Sequence, residues 1–100
     1  MPDDFFALPP FKPAEALPLL KRSLRDLRTL TERGEAFELK GSRVIELVGG
    51  DKHIDARLAK RPMRGGTPEW DTFRLAGSPD VRKFTDEVKR RLARWTEEDR

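Results

Sequence analysis

The chain contains no cysteine and no tyrosine, and His53 is its only histidine. Without a thiol there can be no disulfide and no Cys–His nucleophile, and a serine triad would have to be built on His53. One imidazole among scattered carboxylates is also too small a donor set for a structural zinc site. No apolar run approaches the ~20 residues of a membrane-spanning helix, and the opening Met1-Pro2-Asp3-Asp4 lacks the basic leader of a secretory signal. Neither Gly49-Gly50 nor Gly65-Gly66 belongs to a GxGxxG or P-loop pattern ahead of a helix, so no phosphate cradle is expected. The expectation is a cytoplasmic protein that is not an enzyme and holds no metal or cofactor.

Charge is what the chain has in quantity. Of its 100 residues 39% are charged and 36% hydrophobic, with a net charge of +3. That balance predicts a thin core under a highly charged surface; because the apolar residues are periodic, it does not predict disorder. The cations are clustered. Arg57, Lys60, Arg61 and Arg64 follow one another with no acid between them; Lys21, Arg22, Arg25 and Arg28 face only Asp26; six bases between Arg82 and Arg94 face Asp86 and Glu87. Such clusters can sum to a field that steers polyanions.

Residues 1–12 read as an extended arm, because Pro2, Pro9 and Pro10 forbid a regular helix. Phe5, Phe6 and Phe11 on that arm each cost ~1.5–3 kcal/mol if left in water. The arm folds back to seal the domain, docks on a partner or a second subunit, or stays disordered. Residues 13–96 form the domain proper, and 97–100 an acidic tail. A first helix is expected from Pro13 or Pro18 to Arg33, with Leu17, Leu20, Leu24, Leu27 and Leu30 inward and Gly34 as its left-handed cap.

Four strands should follow. Residues 35–40 and 43–48 form a hairpin around Gly41-Ser42, Lys52 to Ala59 a third strand, and Trp70 to Leu75 a fourth. A two-residue turn would set Phe37 opposite Glu46. A three-residue loop places Phe37, Leu39, Ile45 and Leu47 on one face, and is preferred because it buries four large side chains together. The outer face would then show Glu38, Lys40, Val44, Glu46, His53, Asp55, Arg57 and Arg74, with His53 and Asp55 as a surface pair. Ser78, Pro79 and Asp80 start the last helix as cap, first residue and dipole partner. Val81, Phe84, Val88, Leu92 and Trp95 make its buried stripe. The fold class is therefore α+β: two layers, an antiparallel four-stranded sheet flanked by an N-terminal and a C-terminal helix, in the order α-β-β-β-β-α.

Two functions compete. In the first, Arg57, Lys60, Arg61 and Arg64 on a loop with Gly65-Gly66 lie along the phosphates of single-stranded or structured nucleic acid while Trp70 stacks on a base. No helix has the layout of a groove reader, which argues against duplex reading. The run Lys52-His53-Ile54-Asp55-Ala56-Arg57, a basic Gly-containing loop, a strand ending at Leu75 and a Pro-started helix resembles the positive-cofactor-four family of single-stranded-DNA-binding coactivators. That resemblance covers under half of the chain and implies dimerisation and single-strand binding. The chain departs from the family in its long first helix and in having Leu58 and Ala59 where aromatic residues follow the arginine. In the second function the domain is a protein-interaction or homodimerisation module that uses Phe5, Phe6 and Phe11 of the arm and Trp95, the end of a stripe longer than a small sheet can cover.

Overall fold

Leucines three and four residues apart, Leu17, Leu20 and Leu24, set the buried side of helix α1, Pro13–Arg25. The computed structural model describes residues 11–63 and 65–98. Pro13 takes the first helical position, where its missing N–H is no loss, and Pro18 lies inside the helix on its exposed side. Five strands follow: β1 (Leu30–Arg33), β2 (Ala36–Leu39), β3 (Ser42–Gly49), β4 (Ile54–Ala59) and β5 (Trp70–Leu75). Helix α2, Ser78–Glu98, closes the described chain. Each strand pairs antiparallel with the next, in sheet order β1-β2-β3-β4-β5.

The expected layout of a helix, an antiparallel sheet and a C-terminal helix is present, but the sheet has five strands, not four. The extra strand is made from the last four residues of the expected first helix. That helix stops at Arg25; the Leu27 N–H reaches back to the Leu24 carbonyl at 3.1 Å, and the Leu30 N–H to the Leu27 carbonyl at 2.9 Å. Leu30 then pairs with Leu39 and Arg33 with Ala36. Gly34, expected as a helix cap, sits instead in the β1–β2 turn, with the positive φ of 63° that such a turn needs at its first central position. Leu27 and Leu30 keep the helical spacing of three, so periodicity alone cannot separate the two outcomes. The strand gains a whole hairpin ladder.

The β2–β3 hairpin resolves the conflict between turn and burial in a third way. Its turn has two central residues, Lys40 and Gly41, both with positive φ (51° and 87°), and Leu39 faces Ser42. The register then shifts between Phe37 and Glu38, so that Glu38 faces Arg43 while Phe37 faces Ile45. Val44 is the extra residue of a β-bulge. The expected three-residue loop would have put Arg43 inward opposite Leu39 and Val44 outward. With the bulge, Val44 and Ile45 are both fully buried and Arg43 stays in water, which avoids the cost of enclosing a guanidinium. Phe37, Leu39, Ile45 and Leu47 still share one buried face.

Residues paired in register share a face, so that buried face also carries Leu30, Ile54, Ala56, Leu58, Phe73 and Leu75. Leu20 and Leu24 of α1 and Phe84, Val88, Leu92 and Trp95 of α2 join it in one cluster. Phe73 and Phe84 meet edge to face, ring centroids 5.3 Å apart. Leu17 reaches Gly49 so closely that a Cβ there would lie 3.2 Å from its Cδ2. Ser78 is already the first helical residue, so Gly77 and not Ser78 stands at the N-cap, its carbonyl accepting the Asp80 and Val81 N–H groups, and the Asp80 carboxylate reaches back to accept the Ala76 N–H at 3.0 Å. The helix runs on through Glu97 and Glu98, residues the sequence assigns to a tail. No helix among the described residues is long and apolar enough to cross a membrane.

Candidate nucleic-acid interface

The helices lie against one side of the sheet, and no described element packs on the other. Alternation sends Glu38, Arg43, Glu46, Asp55, Arg57, Thr72 and Arg74 to that second side. Arg57 stands between Glu46 on β3 and Thr72 on β5. Two residues further along β4, Ala59 faces Trp70, which makes Trp70 the diagonal neighbour of Arg57, a backbone separation of about 7–8 Å. Trp70 is half-buried and leans on the core cluster.

Most cations of this face are held loosely. Arg33 Nε lies 3.5 Å from Glu38 Oε1. Glu46 is shared: its Oε2 accepts from Arg43 Nη1 at 3.2 Å and its Oε1 from Arg57 Nη1 at 3.5 Å. His53 Nε2 is 3.4 Å from Asp55 Oδ1, the expected surface pair. Arg74 is exposed and has no ion pair among the described residues.

The β4–β5 loop begins at one end of this face. Its base is closed by the Lys60 N–H donating to the Glu69 carbonyl at 2.9 Å, and Gly65 and Gly66 turn the chain with φ of 77° and 87°. The Lys60 ammonium is 3.8 Å from Asp71, too long for a firm hydrogen bond. Arg61 is exposed without an ion pair among the described residues, and Met63 is 44% exposed. With Thr67 and Glu69 these residues line an open cleft of about 430 Å³. Arg64 lies outside the described residues. The structure thus brings Arg57 and Trp70 together at one end of the open face, with Arg61 on the adjoining loop, while Lys60 leans to the helix side of the sheet, toward Asp71. It adds Arg43 and Arg74. Only the bulge turns Arg43 outward, so plain alternation does not find it, whereas Arg74 has the parity of the outer face.

The partner-binding candidates fare differently. Trp95 is 5% exposed and belongs to the core cluster, so the expectation that it overruns the sheet and offers itself to a second copy is corrected: the chain's own core covers it. Phe11 is half-buried against that core, while Phe5 and Phe6 lie outside the described residues. Leu19 is 64% exposed beside Phe11 and Ala16, in a groove of about 620 Å³ between the starts of α1 and α2.

Arg91, one of the six bases between Arg82 and Arg94, is not a surface charge. It is 13% exposed, with Nε at 2.8 Å from Glu87, Nη2 at 2.8 Å from Asp71 and Nη1 donating to the Ala59 carbonyl at 3.1 Å. It ties α2 to the two strand ends from which the basic loop springs. The hydrogen bond from Arg91 holds the Glu87 carboxyl below its ordinary range; partial burial works against this, and the charges of Arg91, Arg90 and Arg94 add to it. Among the described residues no three His, Asp or Glu side chains converge to hold a metal ion.

No known family matches this chain, and no curated protein and no solved structure matches it either. The strand, loop, strand, helix order that goes with the positive-cofactor-four resemblance is present in residues 54–98, but it rests on those residues alone.

Proposed function

We propose that this is a nucleic-acid-binding protein that lays single-stranded or structured DNA or RNA across its open sheet face and the adjoining β4–β5 loop. The observation that carries the reading is the placement of Trp70 diagonally from Arg57 on a sheet side that no described element covers. Arg43, Arg57, Lys60, Arg61 and Arg74 would neutralise phosphates, and the release of condensed counterions supplies most of the affinity. Trp70 would stack on an unpaired base, worth ~1–3 kcal/mol and tolerant of sequence. Glu38, Glu46 and Asp55 on the same side keep the affinity moderate.

The test is fluorescence anisotropy of a labelled single strand titrated at low and high salt. Binding that weakens steeply with salt supports the reading, and absence of binding at low salt, or a flat salt response, overturns it. Trp70→Leu, which keeps apolar packing but removes the stacking face, should weaken binding by about 5- to 100-fold.

The rival reading, a protein-interaction module using Phe5, Phe6 and Phe11 of the N-terminal segment, is favoured by one observation: exposed Leu19 beside Phe11 in an apolar groove. Partners recovered from lysate that persist after nuclease treatment, and are lost with Leu19→Lys, would support it. Partners lost on nuclease treatment would support the first reading.

A further inference from the structure

Residues three apart on a regular strand point to opposite sides, yet Arg43 and Glu46 meet at 3.2 Å on the same side. The bulge at Val44 makes this possible by adding a residue between them. Across the ladder Arg57 approaches the same carboxylate from β4, so that each Glu46 oxygen faces one guanidinium. The two arginines are 52% and 54% exposed in their side chains and the glutamate between them 27%. An anion held between two guanidinium groups on an otherwise open surface has the chemistry of a phosphodiester contact, and the carboxylate stands where that anion would sit. Guanidinium suits this task because its planar donors can face a carboxylate and a phosphate in the same way.

We propose that Arg43 and Arg57 form a subsite for one backbone phosphate, and that Glu46 occupies it in the free protein as a built-in competitor. The inference rests on the nucleic-acid reading above and assigns a role within it. A phosphate entering the subsite displaces the carboxylate, so part of the Coulomb energy of binding is spent on an existing pair. Glu46 thereby lowers affinity for weakly charged ligands more than for a strand that brings several phosphates at once. Both pairs are exposed, and exposed pairs hold weakly, so the carboxylate can yield.

The experiment compares wild type, Glu46→Gln, Glu38→Gln and the double variant Glu46→Gln/Arg57→Gln by anisotropy with one labelled oligonucleotide over a salt series. Melting curves confirm that each is folded. Glu46→Gln should bind about 3- to 10-fold tighter at low salt, with a log–log salt slope steeper by about 0.7, the value for one added phosphate contact on a single strand. Glu38→Gln removes a carboxylate that lies across the ladder from Arg43 but is ion-paired with Arg33 and not with Arg43, and should leave the slope unchanged. The double variant should lose the gain. If Glu46→Gln and Glu38→Gln behave alike, or the gain survives loss of Arg57, the subsite is overturned while the nucleic-acid reading stands. If no variant binds at any salt, both fall together.

Discussion

Arg91 and Arg57 are the same residue type in the same small protein, and they do opposite work. Arg91 sits in the seam between α2 and the ends of β4 and β5, 13% exposed, with three partners at 2.8, 2.8 and 3.1 Å. Arg57 stands on the open face, 54% exposed, with a shared carboxylate at 3.5 Å. Breaking the first contact leaves Asp71 and Glu87 partly enclosed without their cation, and the fold bears that cost. Breaking the second returns two charges to water at almost none. A count of ion pairs would score the two alike. Burial and geometry separate the charge that holds the domain from the charge that is free to be exchanged for a ligand.

The comparison breaks if the two arginines respond alike to substitution. Arg91→Met should cost about 2 kcal/mol, lowering the melting temperature by roughly 8–16 °C for a domain of this size; a change under 2 °C by calorimetry would deny the seam its role. Gly41→Ala, at φ 87° in the turn that leads into the bulge, should cost about 1 kcal/mol through strain alone, since open space surrounds the position. Urea unfolding that leaves its midpoint unmoved would mean that the turn is not what fixes the hairpin. Glu87→Gln should cost about 0.5–1 kcal/mol at neutral pH. Because the folded carboxyl titrates below its unfolded value, its contribution is complete above the ordinary carboxylate range and is lost as pH falls through the lowered folded value. Melting curves of wild type and variant should therefore converge on acidification, and a gap that stays constant would assign the effect to shape and not to charge. Arg57→Gln should leave stability within about 0.5 kcal/mol of wild type, while the salt slope for a single strand falls by about 0.7. A large loss of stability there would move Arg57 into the same class as Arg91.

Much of this fold can be read from residue patterns. The stripe Val81, Phe84, Val88, Leu92, Trp95 faces the core as its spacing requires, and Ile54, Ala56 and Leu58 alternate inward on β4. The failures have physical causes. Leu30 continues the helical spacing of Leu24 and Leu27, and only its pairing with Leu39, nine residues on, makes it a strand residue. Val44 exchanged sides with Arg43 because alternation cannot announce an extra residue; the penalty for enclosing a guanidinium decides where it goes. Trp95 lies in the core cluster, a burial that the length of its stripe on one helix does not reveal. Of the candidate site, Arg57 and Trp70 were legible from strand parity, whereas Arg43 needed the bulge, and Arg91 needed distances that no pattern on a single helix contains.

The bulge also gives β3 a spare residue. Removing either Val44 or Ile45 leaves Ser42, the surviving aliphatic residue and Leu47 inward, with Arg43 and Glu46 outward, in strict alternation. The hairpin can therefore lose one position there and keep every other side chain in its layer. A deletion among the regular rungs of β4 has no such reserve and would turn the rest of that strand inside out.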